Sequence, residues 1–361
     1  MASSSEVDAM RRAVGLSARS LGTTSPNPPV GAVVLDAAGE VVGEGWTRPP
    51  GGPHAEVVAL EAAGDRARGG TAVVTLEPCR HAGRTGPCAT ALRDAGIARV
   101  VVACADPTAQ AGGGADLLRG EGVDVETGVL ADEAVLGPLE AWLSRQRTGR
   151  PFVTWKYAAT LDGRSAAADG TSRWITSEPA RADVHRLRAE VDAVLAGVGT
   201  VLADDPLLNV RPDPGHQPLR VVVDTHGRTP LTARALSGPV PAVVALQAQL
   251  EDAGYPRTLV VPTGDDDRLD LAGLLEALAL EHDVVSLLLE GGPTLAGAFV
   301  AAGLVDRVVG YVAPALLGDG PHALGPAGAG TISQMHRFRL DDVTRVGDDV
   351  RLTLRPDPRR P

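Results

Sequence analysis

Lysine is almost missing from this chain. Of 34 cationic residues among 361, only Lys156 is a lysine and the other 33 are arginine. Against that bias, a retained lysine points to a place that needs a compact ammonium rather than a planar guanidinium, with chance retention as the competing explanation. Cysteine is also scarce. Three residues are too few for a disulfide framework, and two of them, Cys79 and Cys88, stand in a metal-like pattern, so a reducing cytoplasm is the expected compartment. No run approaches the roughly 18 uninterrupted apolar residues of a membrane span. The first 22 residues have no apolar core of an export signal, so neither membrane nor export is expected. Positive charge is in deficit throughout. Residues 1–150 hold 14 Arg against 18 acidic residues (net −4), and the remainder holds 20 basic against 27 acidic (net −7). Neither half has the basic balance of a nucleic-acid binder, which leaves small molecules as the favoured substrates.

What is present supports a globular enzyme. Hydrophobic residues make up 44%, and 361 residues are more than one core usually serves, so two domains are expected. The polar stretch Arg145 to Pro151 places the division between residues 1–147 and 148–361. The N-terminus reads as an amphipathic helix with Val7, Met10, Val14 and Leu21 on one side. Then come a proline-stiffened loop, strands at Val30 to Leu35 and Glu40 to Gly45, and a helix from about His54 to Gly64. Strands at Thr71 to Leu76 and Ala98 to Cys104 flank a helix over roughly 86–95, and a further helix is expected from Ala131 to about Gln146. In the second part, strands are expected at 152–159, 192–196, 219–223, 240–245, 258–261, 284–289 and 307–312, with another at the C-terminus. Helices are expected from a Ser177 cap to about Glu190 and over Pro293 to Ala302. Apolar, unbroken strands alternating with helices indicate α/β domains with sheets covered on both faces.

The chemistry concentrates at His54-Ala55-Glu56, Pro78-Cys79 and Cys88. One imidazole and two thiolates supply three protein ligands to a catalytic zinc whose fourth position stays open. Glu56, two residues past His54, is then a proton shuttle rather than a ligand, as in the H-x-E…P-C…C pattern of hydrolytic zinc deaminases. At a helix start both His54 and Glu56 reach a point just beyond the helix end, and Cys88 opening the next helix favours thiolate. Zinc there is expected to bring the pKa of a water toward about 7, with Glu56 carrying its proton to the departing amine. Cys104, inside an apolar strand, reads as a small core residue.

The segments Pro26-Asn27-Pro28-Pro29-Val30-Gly31, His54-Ala55-Glu56 and Thr75 to Cys88 resemble the riboflavin-biosynthesis deaminase family. Cys88 follows Cys79 by nine residues instead of three, and the intervening His81 to Pro87 separates that family from cytidine and tRNA deaminases. The resemblance implies a cytidine-deaminase-like α/β/α domain acting on a diaminopyrimidinone that carries a phosphoribosylamino group. It also implies that Asn27 and Arg84, in the Gly83-Arg84-Thr85 loop, help hold that substrate. One departure stands out. The family follows Asp-Pro with Asn-Pro, whereas here Asp106-Pro107 runs into Thr108-Ala109, keeping a hydroxyl and losing an amide.

The second part looks built for phosphates. Gly197-Val198-Gly199-Thr200 and Glu290-Gly291-Gly292-Pro293-Thr294 each follow an apolar strand and precede a helix. Backbone N–H groups at such turns approach anions. Each alone serves equally as a tight turn, neither completes G-x-G-x-x-G, and the two together point to a dinucleotide. Ser172, Arg188 and Arg211 form a plausible phosphate set. The segments Lys156 to Arg164, Gly170 to Thr176, Val184 to Arg188, Gly197 to Pro206 and Leu289 to Leu295 are similar to the reductase of the same bifunctional family. That similarity implies a dihydrofolate-reductase-like α/β domain, NADPH as cofactor beside the deaminase's zinc, and homodimers formed through the reductase domain. Substrate contacts then fall to Ser172, Arg188, Leu208, Arg211 and Glu290. Cofactor contacts fall to Ala158, Trp174, Thr200, Asp204, Thr225, Gly292, Pro293, Thr294 and Leu295. The implied sequence is deamination of a ring amine, then reduction of the opened ribosyl group to ribityl, with Lys156 a candidate proton donor or a partner of Asp162 or Glu290. The alternative is a deaminase of another heterocycle whose C-terminal domain binds a nucleotide without reducing anything.

Overall fold

The computed structural model describes residues 1–81, 86–211, 215–250, 253–264 and 267–357. The chain divides into two compact units, Met1–Gly149 and Arg150–Pro361. In the first unit, α1 (Ser4–Ser17) starts with a reciprocal cap in which Ser3 Oγ accepts the Glu6 N–H and Glu6 accepts the Ser3 N–H. Its buried face is Ala9, Met10, Ala13, Leu16 and Ser17, with Val7 and Val14 only on its flank and Leu21 beyond the helix end. Small residues face inward because α1 lies directly on β1 (Gly31–Leu35): a Cβ on Gly31 would come within 2.0 Å of the Ala13 carbonyl oxygen.

The chain continues through β2 (Val41–Trp46), α2 (Ala55–Ala63), β3 (Thr71–Leu76), α3 (Cys88–Asp94), β4 (Arg99–Cys104), α4 (Gly114–Gly120), β5 (Asp124–Thr127), α5 (Ala131–Val135) and α6 (Glu140–Thr148). The sheet order is β2-β1-β3-β4-β5, with β1 antiparallel to both neighbours and β3, β4 and β5 parallel. Every residue of β1 and nearly every residue of β3 is buried, as a doubly covered sheet requires. The single helix expected from Ala131 to Gln146 is two, because Gly137-Pro138 removes a donor and restricts the residue before it.

The second unit runs β6 (Phe152–Thr160), α7 (Glu178–Ala189), β7 (Ala193–Gly197), α8 (Val198–Asp204), β8 (Leu219–Val223), β9 (Ala242–Leu246), β10 (Thr258–Val260), α9 (Leu271–Glu281), β11 (Ser286–Leu289), α10 (Pro293–Ala301), β12 (Arg307–Ala313), β13 (Phe338–Val346) and β14 (Asp349–Pro356). Its nine strands are ordered β10-β9-β8-β7-β11-β6-β12-β14-β13, parallel from β10 to β12 and antiparallel across the last two pairings. Alternate strand residues fill two cores: Val153, Leu195, Val221 and Leu287 pack on one side with Leu274 and Phe299, while Val194, Ala196, Val222 and Leu288 pack on the other. Ser177 stands at the start of α7 but does not cap it, because its hydroxyl donates to the buried carboxylate of Asp349 at 2.7 Å. The helix expected after the turn Gly197-Val198-Gly199-Thr200 begins within it, at Val198, and reaches Asp204. Among the described residues, no helix is long and apolar enough to cross a membrane.

Candidate metal centre and cofactor cavity

His54 reaches its place because α2 presses onto β2 at backbone distance. A Cβ on Gly43 would lie 2.1 Å from the Ala59 carbonyl oxygen, and one on Gly45 would lie 2.2 Å from that of Ala55. Two glycines in one strand therefore set the depth of α2 and with it the depth of its first turn. His54 occupies the residue before the helix, in extended conformation, and Glu56 lies in the first turn, 4% exposed. Cys79 follows the end of β3, and Cys88 opens α3.

These elements converge. His54 Nδ1 lies 3.1 Å from Cys88 Sγ and 3.7 Å from Cys79 Sγ, and the Cys88 N–H donates to Cys79 Sγ at 3.4 Å. All three ligand atoms fall within 4.8 Å of one another. Tetrahedral zinc, with bonds of about 2.3 Å to sulfur and about 2.0–2.1 Å to nitrogen, sets such atoms roughly 3.5–3.8 Å apart, so the donor set fits the ion in kind and spacing. The electrostatics agree. A hydrogen bond from the Cys88 thiol holds Cys79 down to about 4, against the opposing effect of burial. The same bond pushes the Cys88 thiol up, so the pair shares one proton. The hydrogen bond to Cys79 raises His54. Burial pushes Glu56 up to about 7, which suits a carboxyl that takes up and returns protons near neutrality. Cys104 stands apart, donating to the Thr75 carbonyl at 3.5 Å, with its thiol raised to about 11 by burial.

Of the residues expected around the pyrimidine, Asn27 is half-buried and closes a turn onto the Thr24 carbonyl at 2.8 Å, and Arg84 lies outside the described residues. Thr108 is committed within its own loop: its N–H and hydroxyl both donate to Asp106 Oδ1, at 2.8 and 2.6 Å, and its oxygen accepts the Ala111 N–H at 3.3 Å.

The second unit holds a cavity of about 1300 Å³. It opens where parallel strands end, at Gly197 closing β7, Thr225 after β8 and Glu290 after β11, the usual ligand position in α/β sheets. Ala158, Thr200, Asp204, Thr225 and the run Gly292, Pro293, Thr294, Leu295 all line it, as do Lys156, Ser172 and Glu290. Four expected residues do not: Trp174, Arg188, Leu208 and Arg211 are absent from its wall. Trp174 is 68% exposed, with the Arg181 guanidinium 4.5 Å from its ring centre, and Leu208 is buried in the core with Val194 and Val222. The Arg211 N–H donates to His185 Nδ1 at 3.2 Å. Arg188 grips Glu290 through two bonds of 2.6 and 3.0 Å, so its charge is already balanced by a carboxylate. Lys156 Nζ lies 3.5 Å from Glu290 Oε2, and Asp162 instead accepts backbone N–H groups of Leu317 and Gly318. Burial opposes charge on Glu290, but Arg188 and then Lys156 hold it down to about 2, while burial pulls Lys156 below its ordinary value. Tyr157, His226, Arg228 and Asp270 also line the cavity and were not singled out from the sequence. For His226 and Arg228 the signal was position, in the loop that leaves the carboxyl end of parallel strand β8 at Val223.

A cluster of one imidazole and two thiols that could hold a metal ion, with a buried carboxyl in the adjacent helix turn, followed by an α/β unit with a cavity at its strand ends, fits a hydrolytic deaminase joined to a reductase-type domain. Residues 3–104 match the family model for the cytidine and deoxycytidylate deaminase zinc-binding region, and residues 151–352 match that for the RibD C-terminal domain. The chain belongs to the RibD family of riboflavin-biosynthesis proteins and is a bifunctional enzyme, a deaminase followed by a reductase. It is 48% identical over 351 residues to riboflavin biosynthesis protein RibD of Mycobacterium tuberculosis, covering 96% of each chain. It is 43% identical to that of Escherichia coli, covering 96% of this chain and 98% of the relative. Among solved structures, Acinetobacter baumannii RibD aligns with a TM-score of 0.88 at 41% identity, covering 98% of this chain and 99% of that one. A Thermotoga maritima protein titled diaminohydroxyphosphoribosylaminopyrimidine deaminase/5-amino-6-(5-phosphoribosylamino)uracil reductase aligns at 0.89 with 34% identity and the same coverage. A deaminase fused to a non-reducing domain is correspondingly disfavoured.

Proposed function

We propose that His54, Cys79 and Cys88 hold zinc, that NADPH occupies the 1300 Å³ cavity, and that the substrate is a diaminopyrimidinone bearing a phosphoribosylamino group. The observation that carries the first site is the cluster of one imidazole nitrogen and two sulfurs within 4.8 Å beside a buried carboxyl. When bound, zinc supplies Lewis acidity that brings a water's pKa toward neutrality. Glu56 takes a proton from that water and returns it toward the departing amine. The balanced outcome is exchange of a ring C–NH₂ for C=O, with one water consumed and one ammonia released. Asn27 and Arg84 are assigned to holding the substrate.

In the second unit, opening of the ribosylamine exposes a carbon that accepts hydride, and its heteroatom then takes a proton. NADPH supplies the hydride when bound. Lys156, with its ammonium made more acidic by burial, is assigned the proton, and Glu290 keeps that ammonium and Arg188 in place. Ser172, assigned to the substrate, lines the same cavity and donates to Asp204 at 3.3 Å. The turn Gly292 to Leu295 is assigned to the cofactor. A Cβ at Gly292 would stand 3.4 Å from Thr200 Oγ1, inside the gap between the two glycine turns. Gly292→Val is therefore expected to weaken NADPH binding at least about 10-fold, the equivalent of about 1.4 kcal/mol, while ammonia release stays at the wild-type rate. Fluorescence titration with NADPH checks it, and unchanged affinity would take the cofactor out of that turn.

A further inference from the structure

Glu77 lies between the end of β3 and Cys79 and is 9% exposed. Its carboxylate accepts three backbone N–H groups: Asp106 on Oε2 at 3.1 Å, and Gly113 and Ala115 on Oε1 at 3.1 and 2.8 Å. Asp106 and Gly113 sit at the two ends of the loop joining β4 to α4 and Ala115 in the first turn of α4, and Gly113, the residue before α4, has no side chain with which to satisfy these donors itself. The loop in turn grips the chain around Cys79. The Arg80 N–H donates to the Ala111 carbonyl at 3.1 Å, and the Arg80 guanidinium to that of Ala109, also at 3.1 Å. On the other side of Cys79, the Gly114 backbone touches Pro78 so closely that a Cβ there would lie 1.8 Å from the Pro78 oxygen. Glu77 also donates its own N–H to the Cys104 carbonyl at 2.9 Å, which anchors it to β4. The circuit closes on both flanks of Cys79.

We propose that Glu77 is a positioning residue of the deaminase centre, holding Pro78 to Arg80, and so Cys79 Sγ, at metal-binding distance from His54 and Cys88 by way of the 105–113 loop. All three N–H groups point at oxygen, so the site needs two acceptor atoms that carry no hydrogen. Glutamine supplies one, and its amide hydrogens would meet a backbone donor at the other. Alanine supplies neither and frees the loop.

The proposal rests on the zinc reading of His54, Cys79 and Cys88, and the test separates the two. Zinc affinity is measured by competition with a chromophoric chelator on the full chain, with melting temperature recorded alongside. The control is Val101→Ala, in β4 of the same sheet and fully buried, which opens a core cavity without touching the loop. Glu77→Ala is expected to bind zinc about 10–100-fold more weakly, with Glu77→Gln between it and wild type, while Val101→Ala stays within about twofold of wild type despite its lower melting temperature. Zinc affinity in Glu77→Ala within twofold of wild type overturns the proposal. So does an equal loss in Val101→Ala, which would make the effect one of general stability. If Glu77→Ala does not fold, Glu77→Gln read against Val101→Ala decides in the same way. Wild-type protein that binds no zinc, or His54→Ala protein that binds it equally well, removes the metal reading itself.

Discussion

Glu56→Gln is expected to release ammonia about 10²–10⁴-fold more slowly than wild type while keeping its zinc. The side chain is 4% exposed, and burial holds its pKa near 7, so the wild-type carboxyl exchanges protons at little energetic cost around neutrality. Glutamine has the same shape but no site that accepts and returns a proton. Because the neutral acid is already well tolerated in that pocket, a neutral amide there leaves folding largely intact. Single-turnover ammonia release, with metal content determined on the same sample, checks this. A variant that keeps full zinc and more than about a tenth of the wild-type rate would show that another group moves the proton.

Glu290→Ala is expected to cost the second unit about 3–5 kcal/mol and to abolish reduction, because it leaves two largely buried cations facing each other. The side chains of Glu290, Arg188 and Lys156 are only 7%, 12% and 16% exposed, and the carboxylate is what makes that grouping tolerable. Calorimetry should show a fall in melting temperature of roughly 6–20 °C, at about 2–4 °C per kcal/mol for a domain of this size. The pH dependence has a definite sign. The folded carboxylate is held near 2, below its ordinary value of 4.5, so its stabilisation is complete above pH 4.5 and is lost as pH falls from there toward 2. Glu290→Gln should lack that component of acid sensitivity. A melting temperature within 2 °C of wild type for Glu290→Ala would contradict the reading of this cluster as one balanced unit.

Much of the first site was legible because its chemistry is written in short spacings. His54 and Cys88 lie at helix starts and Cys79 at a strand end, and each position is marked nearby by Gly51-Gly52-Pro53, Pro78 or Pro87. The second site was harder to read, because its central pairing joins residues 102 apart in sequence. Arg188 read as a phosphate-binding cation, and nothing local announced that Glu290 would neutralise it. Ser177 shows the same limit on a smaller scale: a helix-capping residue by type, it is drawn away by a carboxylate 172 residues distant. The break between α5 and α6 was written in the sequence as Gly137-Pro138, inside the span expected as one helix. Thr108 illustrates what geometry adds to a departure from a family pattern, since its hydroxyl satisfies Asp106 within its own loop.

The two sites act in fixed order on one substrate in this scheme, deamination before reduction. Supplying the diaminopyrimidinone phosphoribosyl compound and following NADPH absorbance in wild type and in Glu56→Ala tests that order. Wild type should oxidise NADPH. Glu56→Ala should not, yet should do so at the wild-type rate when given the deaminated compound instead. Equal NADPH oxidation by both proteins on the first compound would contradict the ordered scheme.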